Sequence, residues 1–179
     1  MWKLHSAFLV LCIFTLPAQT PGKLNIGRIA VGKDIAARDK FVTPEGKGLP
    51  AGHGTALEGK VIFERRCAKC HGQKGEGADD PALAGGVGSL GQPKELRTVG
   101  SYWPHAPGVW DYVNRAMPFK DPGSLTADQT YAVVAYVLYL NKLFDEGEEL
   151  NAKSLVKVKM PNKNGFIKDP RPDVKRPAK

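Results

Sequence analysis

From Tyr131 to Leu140 every position is apolar or aromatic, and the run opens behind Thr126 and Gln129, which have the S/T-x-x-E/Q spacing of a capping box. A helix over 125–144 is predicted. With no polar face through its middle, it has to be covered on more than one side, by its own core, a cofactor or a partner chain. A shorter helix is predicted over 55–66, where Leu57, Val61 or Ile62, and Phe63 recur at helical spacing and the pattern ends at Cys67. Another is predicted over 107–117, stopped by Pro118. The glycine-rich stretch 72–91 has little periodicity and reads as a loop of the length that usually wraps around something. Gly, Pro and charge dominate 20–54, which reads as an extended arm, and nothing after Leu150 makes a convincing element. The expectation is an all-α domain over 55–150 between that arm and an irregular tail over 151–179.

One apolar run stands apart. Ala7 to Leu16 follows Lys3 and precedes small residues around Ala18, the layout of a secretory signal over 1–19. It falls short of the roughly 18 residues needed to cross a bilayer, so no membrane span is expected and export to the periplasm is. Cys12 leaves with the signal, and Leu11 before it does not suit a lipid-attachment site. Cys67 and Cys70 then remain as the only cysteines, which excludes a disulfide scaffold. The mature chain is long enough for a single core.

The net charge of +8 points to nucleic acid until it is divided along the chain. Residues 151–179 hold nine Lys or Arg against two Asp, whereas 20–150 hold sixteen of each sign. The basic character belongs to the tail, which reads either as a surface for an acidic protein partner or as a solvated extension; nucleic acid is not expected for an exported chain.

Candidate chemistry concentrates in "CAKCH", residues 67–71. A zinc site needs a fourth ligand, and only His53 and His105 are left to supply one, in unmatched surroundings. A thioredoxin-like pair should follow a strand and open a helix, whereas here a helix leads in and a glycine loop leads out. A covalent haem uses all five positions: Cys67 and Cys70 add to the two vinyl groups as thioethers, and His71 is brought beneath the iron as proximal ligand. The distal ligand is assigned to Met117, at a helix end before Pro118, with Met160, His53 and His105 as the other candidates. Trp103 has two readings, an indole donor to a haem propionate or aromatic core packing.

These residues resemble class I c-type cytochromes: "GKVIFERRCAKCHG", "PALAG" at 81–85, "AMP" at 116–118 and "AYVLYL" in the last helix. The resemblance implies short helices packed around one haem c, with Gly59 and Phe63 of the first helix meeting Val133 and Tyr136 of the last. It also implies that the Pro81 carbonyl accepts a hydrogen bond from His71 and fixes its tautomer. A narrower likeness, in "GKGLPAGHGTALEGKVIFERRCAKCHGQKGEG", "TVGSYWPHAPGVWDYVNRAMPF", "PGSLTADQTYAVVAYVLYLN" and "VKMPNKNGF", is to the cytochrome subunits of sulfane dehydrogenases of the Sox thiosulfate-oxidising system and of sulfite dehydrogenases. That likeness implies a periplasmic partner with a molybdopterin cofactor, whose electrons this chain takes and passes to a downstream acceptor such as another cytochrome, with no catalytic residues of its own. Family members with two haem modules carry two CxxCH motifs; this chain has one. The alternatives are a freely diffusing carrier to a terminal oxidase and a haem peroxidase or sensor with an open sixth position. The apolar face of the last helix, the arm and the basic tail are the candidate partner surfaces.

Overall fold

A computed structural model describes residues 26–169 and 171, so the expected signal over 1–19, with Cys12, and the end of the basic tail lie outside the described residues. The chain divides into two units after Asp39. The described part of the first holds one short helix, α1 (Gly32–Arg38), which the reading of 20–54 as an extended arm did not include. Asp34 organises it: its carboxylate accepts from the Val31 N–H at 3.0 Å and pairs with Arg28, which offsets the helix-breaking tendency of Gly32. Ile26, Ile29, Val31 and Ile35 are exposed.

The second unit contains β1 (His53–Gly54), α2 (Ala56–Arg66), α3 (Ala68–His71), α4 (Ala106–Ala116), α5 (Ala127–Leu140), β2 (Leu150–Asn151) and α6 (Ala152–Leu155). Its axis is α5. The predicted cap forms, with the Thr126 hydroxyl accepting from the Gln129 N–H at 3.2 Å and the Gln129 side chain accepting from the Thr126 N–H at 3.0 Å. Every residue from Thr130 to Leu138 is buried, because α2, α4 and both strands lie against this helix. The apolar run is thus covered by the chain's own elements, and it presents no free docking face before Tyr139.

Helix α2 turns a different side inward from the one its larger side chains suggest. Ala56, Gly59 and Phe63 are buried, while Leu57 and Val61 are exposed. The reason is a close crossing: a Cβ on Gly59 would stand 1.8 Å from the Ala132 carbonyl oxygen and 3.0 Å from the Tyr136 Cβ, so only glycine lets the two backbones approach. The Phe63 ring meets Tyr136 edge-on, centroids 5.2 Å apart. Gly59 therefore faces Ala132 and Tyr136, one position from the expected Val133. Residues 132 and 136 are one turn apart on the same face, and Val133 points about 100° away.

The segments flanking 55–150 also enter this unit. β1 and β2 pair antiparallel, His53 opposite Asn151 and Gly54 opposite Leu150. Beyond β2, where no element was expected, the Asn151 side chain caps α6 by accepting from the N–H groups of Lys153 and Ser154. Leu150, Leu155 and Met160 join the core, as does Val42 from the arm, whose N–H donates to Asp111 at 3.1 Å. Single apolar residues spaced this far apart in polar sequence leave no periodicity to read. Among the described residues no helix is long and apolar enough to cross a membrane.

Candidate functional site

Helix α2 delivers the CAKCH stretch directly. Cys67 ends it, donating its N–H to the Phe63 carbonyl at 2.8 Å, and then opens the single turn α3, where the N–H groups of Cys70 and His71 both reach back to the Cys67 carbonyl at 3.1 and 3.0 Å. Residues at i, i+3 and i+4 share a helix face. Sequence spacing thereby becomes spatial grouping: two sulfurs and one imidazole on one side of one turn.

The loop after α3 aims that imidazole. Gly72, with φ 83°, turns the chain in a conformation that L side chains rarely adopt, and the loop comes back to donate from Gly77 N–H to the His71 carbonyl at 2.7 Å and from Asp80 N–H to the Cys70 carbonyl at 2.8 Å. This brings the Pro81 carbonyl to 2.8 Å from His71 Nδ1. With Nδ1–H donating there, Nε2 keeps its lone pair for a metal. Downstream, Asn141 at the end of α5 donates to the Leu83 carbonyl at 3.0 Å and accepts from the Gly85 N–H at 3.1 Å, while the Thr98 hydroxyl donates to the Gly85 carbonyl at 2.6 Å. The sequence reading missed Asn141; its one signal was a lone amide closing an apolar helix.

Both thiols are shifted upward in pKa. Burial pushes the Cys67 thiol up to about 11, and a hydrogen bond to Asp80, then burial, raises that of Cys70. The two histidines that could supply a fourth zinc ligand lie on other elements: His53 is exposed in β1, and His105 precedes α4. Among the described residues no group of three or more His, Cys, Asp or Glu is arranged to hold a metal ion.

Met117 closes α4, its N–H donating to the Val113 carbonyl at 3.1 Å. Ala106, Val109, Trp110 and Val113 form the inward face of that helix, and Met117 continues their spacing, half-buried. Met160, the other methionine considered, is buried in the core cluster. Trp103 is half-buried and tilted against Tyr112, centroids 5.7 Å apart. Trp110 is 2% exposed against Tyr131, and its Nε1 is the one buried side-chain polar atom without a hydrogen-bond partner among the described residues. A haem fits the Cys67, Cys70 and His71 group: it offers vinyl carbons for the two thiols and iron for the imidazole nitrogen.

The comparisons with known proteins agree. The Cytochrome c family model matches residues 56–141. The cbb3-type cytochrome c oxidase subunit CcoP of Azospirillum sp. (strain B510) is 35% identical over 82 residues, 41% of this chain and 26% of that one, so the chain spans about a quarter of the length of this relative. Among solved structures, a chain in the crystal structure of the sulfane dehydrogenase SoxCD from Paracoccus pantotrophus matches with a TM-score of 0.75 and 41% identity, over 88% of this chain and 81% of that one. The chain belongs to the cytochrome c family: it has the class I fold, Cys67 and Cys70 form the attachment motif of a covalently bound haem c, and its function is electron transfer.

Proposed function

We propose that this protein is a periplasmic carrier that takes electrons one at a time from a molybdopterin-containing dehydrogenase acting on sulfane or sulfite sulfur and passes them to a downstream acceptor such as another cytochrome. The observation that carries this reading is the 41% identity to a chain of SoxCD, sustained over most of both chains. The leader over 1–19 takes the polypeptide out of the cytoplasm to the compartment in which haem c is attached. The electron-carrying domain spans 55–150, with the arm over 20–54 and the basic tail over 151–179 flanking it.

Haem c supplies a one-electron couple when bound. Cys67 and Cys70 would hold it as thioethers, and His71 Nε2 and the Met117 sulfur would be the donors to its iron. The Pro81 carbonyl, by accepting from Nδ1–H, locks the tautomer and strengthens the imidazole as a donor, while the thioether of Met117 favours ferrous iron. Trp110, better than the half-buried Trp103, supplies an N–H to a haem carboxylate. Oxidation of sulfite to sulfate releases two electrons and one haem holds one at a time, so a sulfite-oxidising partner would have to be relieved twice per turnover. With α5 covered, the arm with its exposed Ile26, Ile29, Val31 and Ile35 and the basic tail remain the proposed contacts with that partner.

The likeness to CcoP favours a second reading, a carrier serving a terminal oxidase, but it is confined to 82 residues within the family domain. One experiment separates the two. The exported holoprotein is mixed anaerobically with the candidate molybdenum dehydrogenase, and haem reduction is followed after adding sulfite or protein-bound sulfane. Stable co-purification with rapid substrate-dependent reduction is expected; equal reduction by unrelated donors, with no complex, would favour the oxidase carrier.

A further inference from the structure

The loop behind Met117 is exposed at every residue from Phe119 to Ser124. It is bonded to itself, the Asp121 N–H donating to the Pro118 carbonyl at 2.8 Å and the Ser124 hydroxyl to the Asp121 carbonyl at 2.7 Å. Its ends are anchored by α4 and by the buried Leu125. Between them, among the described residues, a single side chain ties it by hydrogen bonds to another part of the protein. Arg66 Nη2 donates to Asp121 Oδ2 at 2.9 Å and to the Ser124 hydroxyl at 2.6 Å. Arg66 is the last residue of α2, next to Cys67, on the helix locked to α5 through Gly59.

We propose that Arg66 is a positioning residue, whose bonds to Asp121 and Ser124 latch the loop behind Met117 and keep the thioether over the haem iron. This rests on the assignment of Met117 as axial donor. Exposed ion pairs add little to global stability. Here, however, among the described residues no other side chain bonds this loop to the rest of the protein, so loss of the pair falls on a local opening rather than on unfolding. The cation also sits where the attachment turn begins, so the latch couples the two sides of the site: any shift of α2 relative to α4 is transmitted to Met117 through one guanidinium.

An external ligand can reach the iron only when Met117 has left, so its apparent affinity scales with the open fraction. The test uses ferric holoprotein with imidazole as probe, following imidazole affinity, the weak far-red absorption of thioether-bound ferric haem, and thermal stability. Arg66→Ala is expected to bind imidazole about five- to tenfold more tightly with little change in unfolding temperature. Asp121→Asn and Ser124→Ala should each give about two- to fourfold, and Arg66→Lys should recover part of the loss, because one ammonium cannot match a fork of donors. Raising ionic strength should move the unmodified protein toward Arg66→Ala. Arg97→Ala, which breaks an exposed pair with Glu95 far along the sequence from Met117, serves as control and should leave imidazole binding unchanged. Should Arg66→Ala fold poorly, the two loop variants carry the test. Unchanged affinity in all the latch variants, alongside loss of the far-red band in Met117→Ala, overturns the latch alone; a band that survives Met117→Ala overturns the ligand assignment and the latch with it.

Discussion

A tryptophan N–H buried without an acceptor costs about 1–3 kcal/mol, and native cores seldom leave one so. Among the described residues Trp110 is a donor for which the polypeptide supplies no acceptor. On the proposed pairing with a haem carboxylate, replacing it by Phe removes the donor, keeps most of the ring and favours the ferric state. The midpoint potential of Trp110→Phe should fall by about 10–40 mV, the redox-dependent part of one charge-assisted hydrogen bond, while Trp103→Phe stays within a few mV; spectroelectrochemical titration decides, and an unmoved Trp110→Phe would hand that N–H to a buried water. At this scale Cys67, Cys70 and His71 were legible because their chemistry depends on spacing along the chain. Which of two indoles close in sequence is buried and unpartnered depends on packing, and the sequence left Trp103 with two readings, donor or core.

Among the elements, α5 and α2 show what periodicity does and does not settle. The cap at Thr126 and the apolar run after it define α5 locally, and the burial of Thr130 to Leu138 follows from the lack of a polar face. For α2 the same reasoning favoured Leu57, Val61 or Ile62, and Phe63; of these Phe63 is buried, while Leu57 and Val61 are exposed and Ala56 and Gly59 turn inward instead. Close approach outweighs side-chain hydrophobicity here, because the smallest residue sets how near the two backbones come. Gly59→Ala should expose the balance. Helix propensity alone would favour the change by about 1 kcal/mol, but a methyl 1.8 Å from the Ala132 carbonyl forces the helices apart. A net loss of about 3 kcal/mol is expected in guanidinium denaturation of the holoprotein; a gain in stability would mean that α2 and α5 cross elsewhere.

Across the unit from Lys40 onward, the core is assembled from both sides of the family domain. Val42, Leu155 and Met160 come from segments with no helical pattern, and the β1–β2 pair closes one segment against the other. Met160 distinguishes a core role from a ligand role. Met160→Ala should cost about 2–4 kcal/mol in denaturation, as other buried methionine truncations do, and leave the far-red thioether band intact. Loss of that band with unchanged stability would transfer the axial position from Met117 to Met160. The same packing removes α5 from the list of partner surfaces, since its apolar residues are already covered.

By itself the sequence determined the cofactor chemistry and the three main helices, because both are written in short-range spacing: two thiols and an imidazole within one turn, and apolar residues repeating at the pitch of a helix. Tertiary structure alone decided which side of α2 is buried, which indole lacks a partner, that Asn141 holds the loop carrying Pro81, that Arg66 reaches Asp121, and that the flanking segments enter the core. Each of those depends on groups distant in sequence meeting in space, where burial and hydrogen-bond pairing are sums over neighbours that no local pattern records.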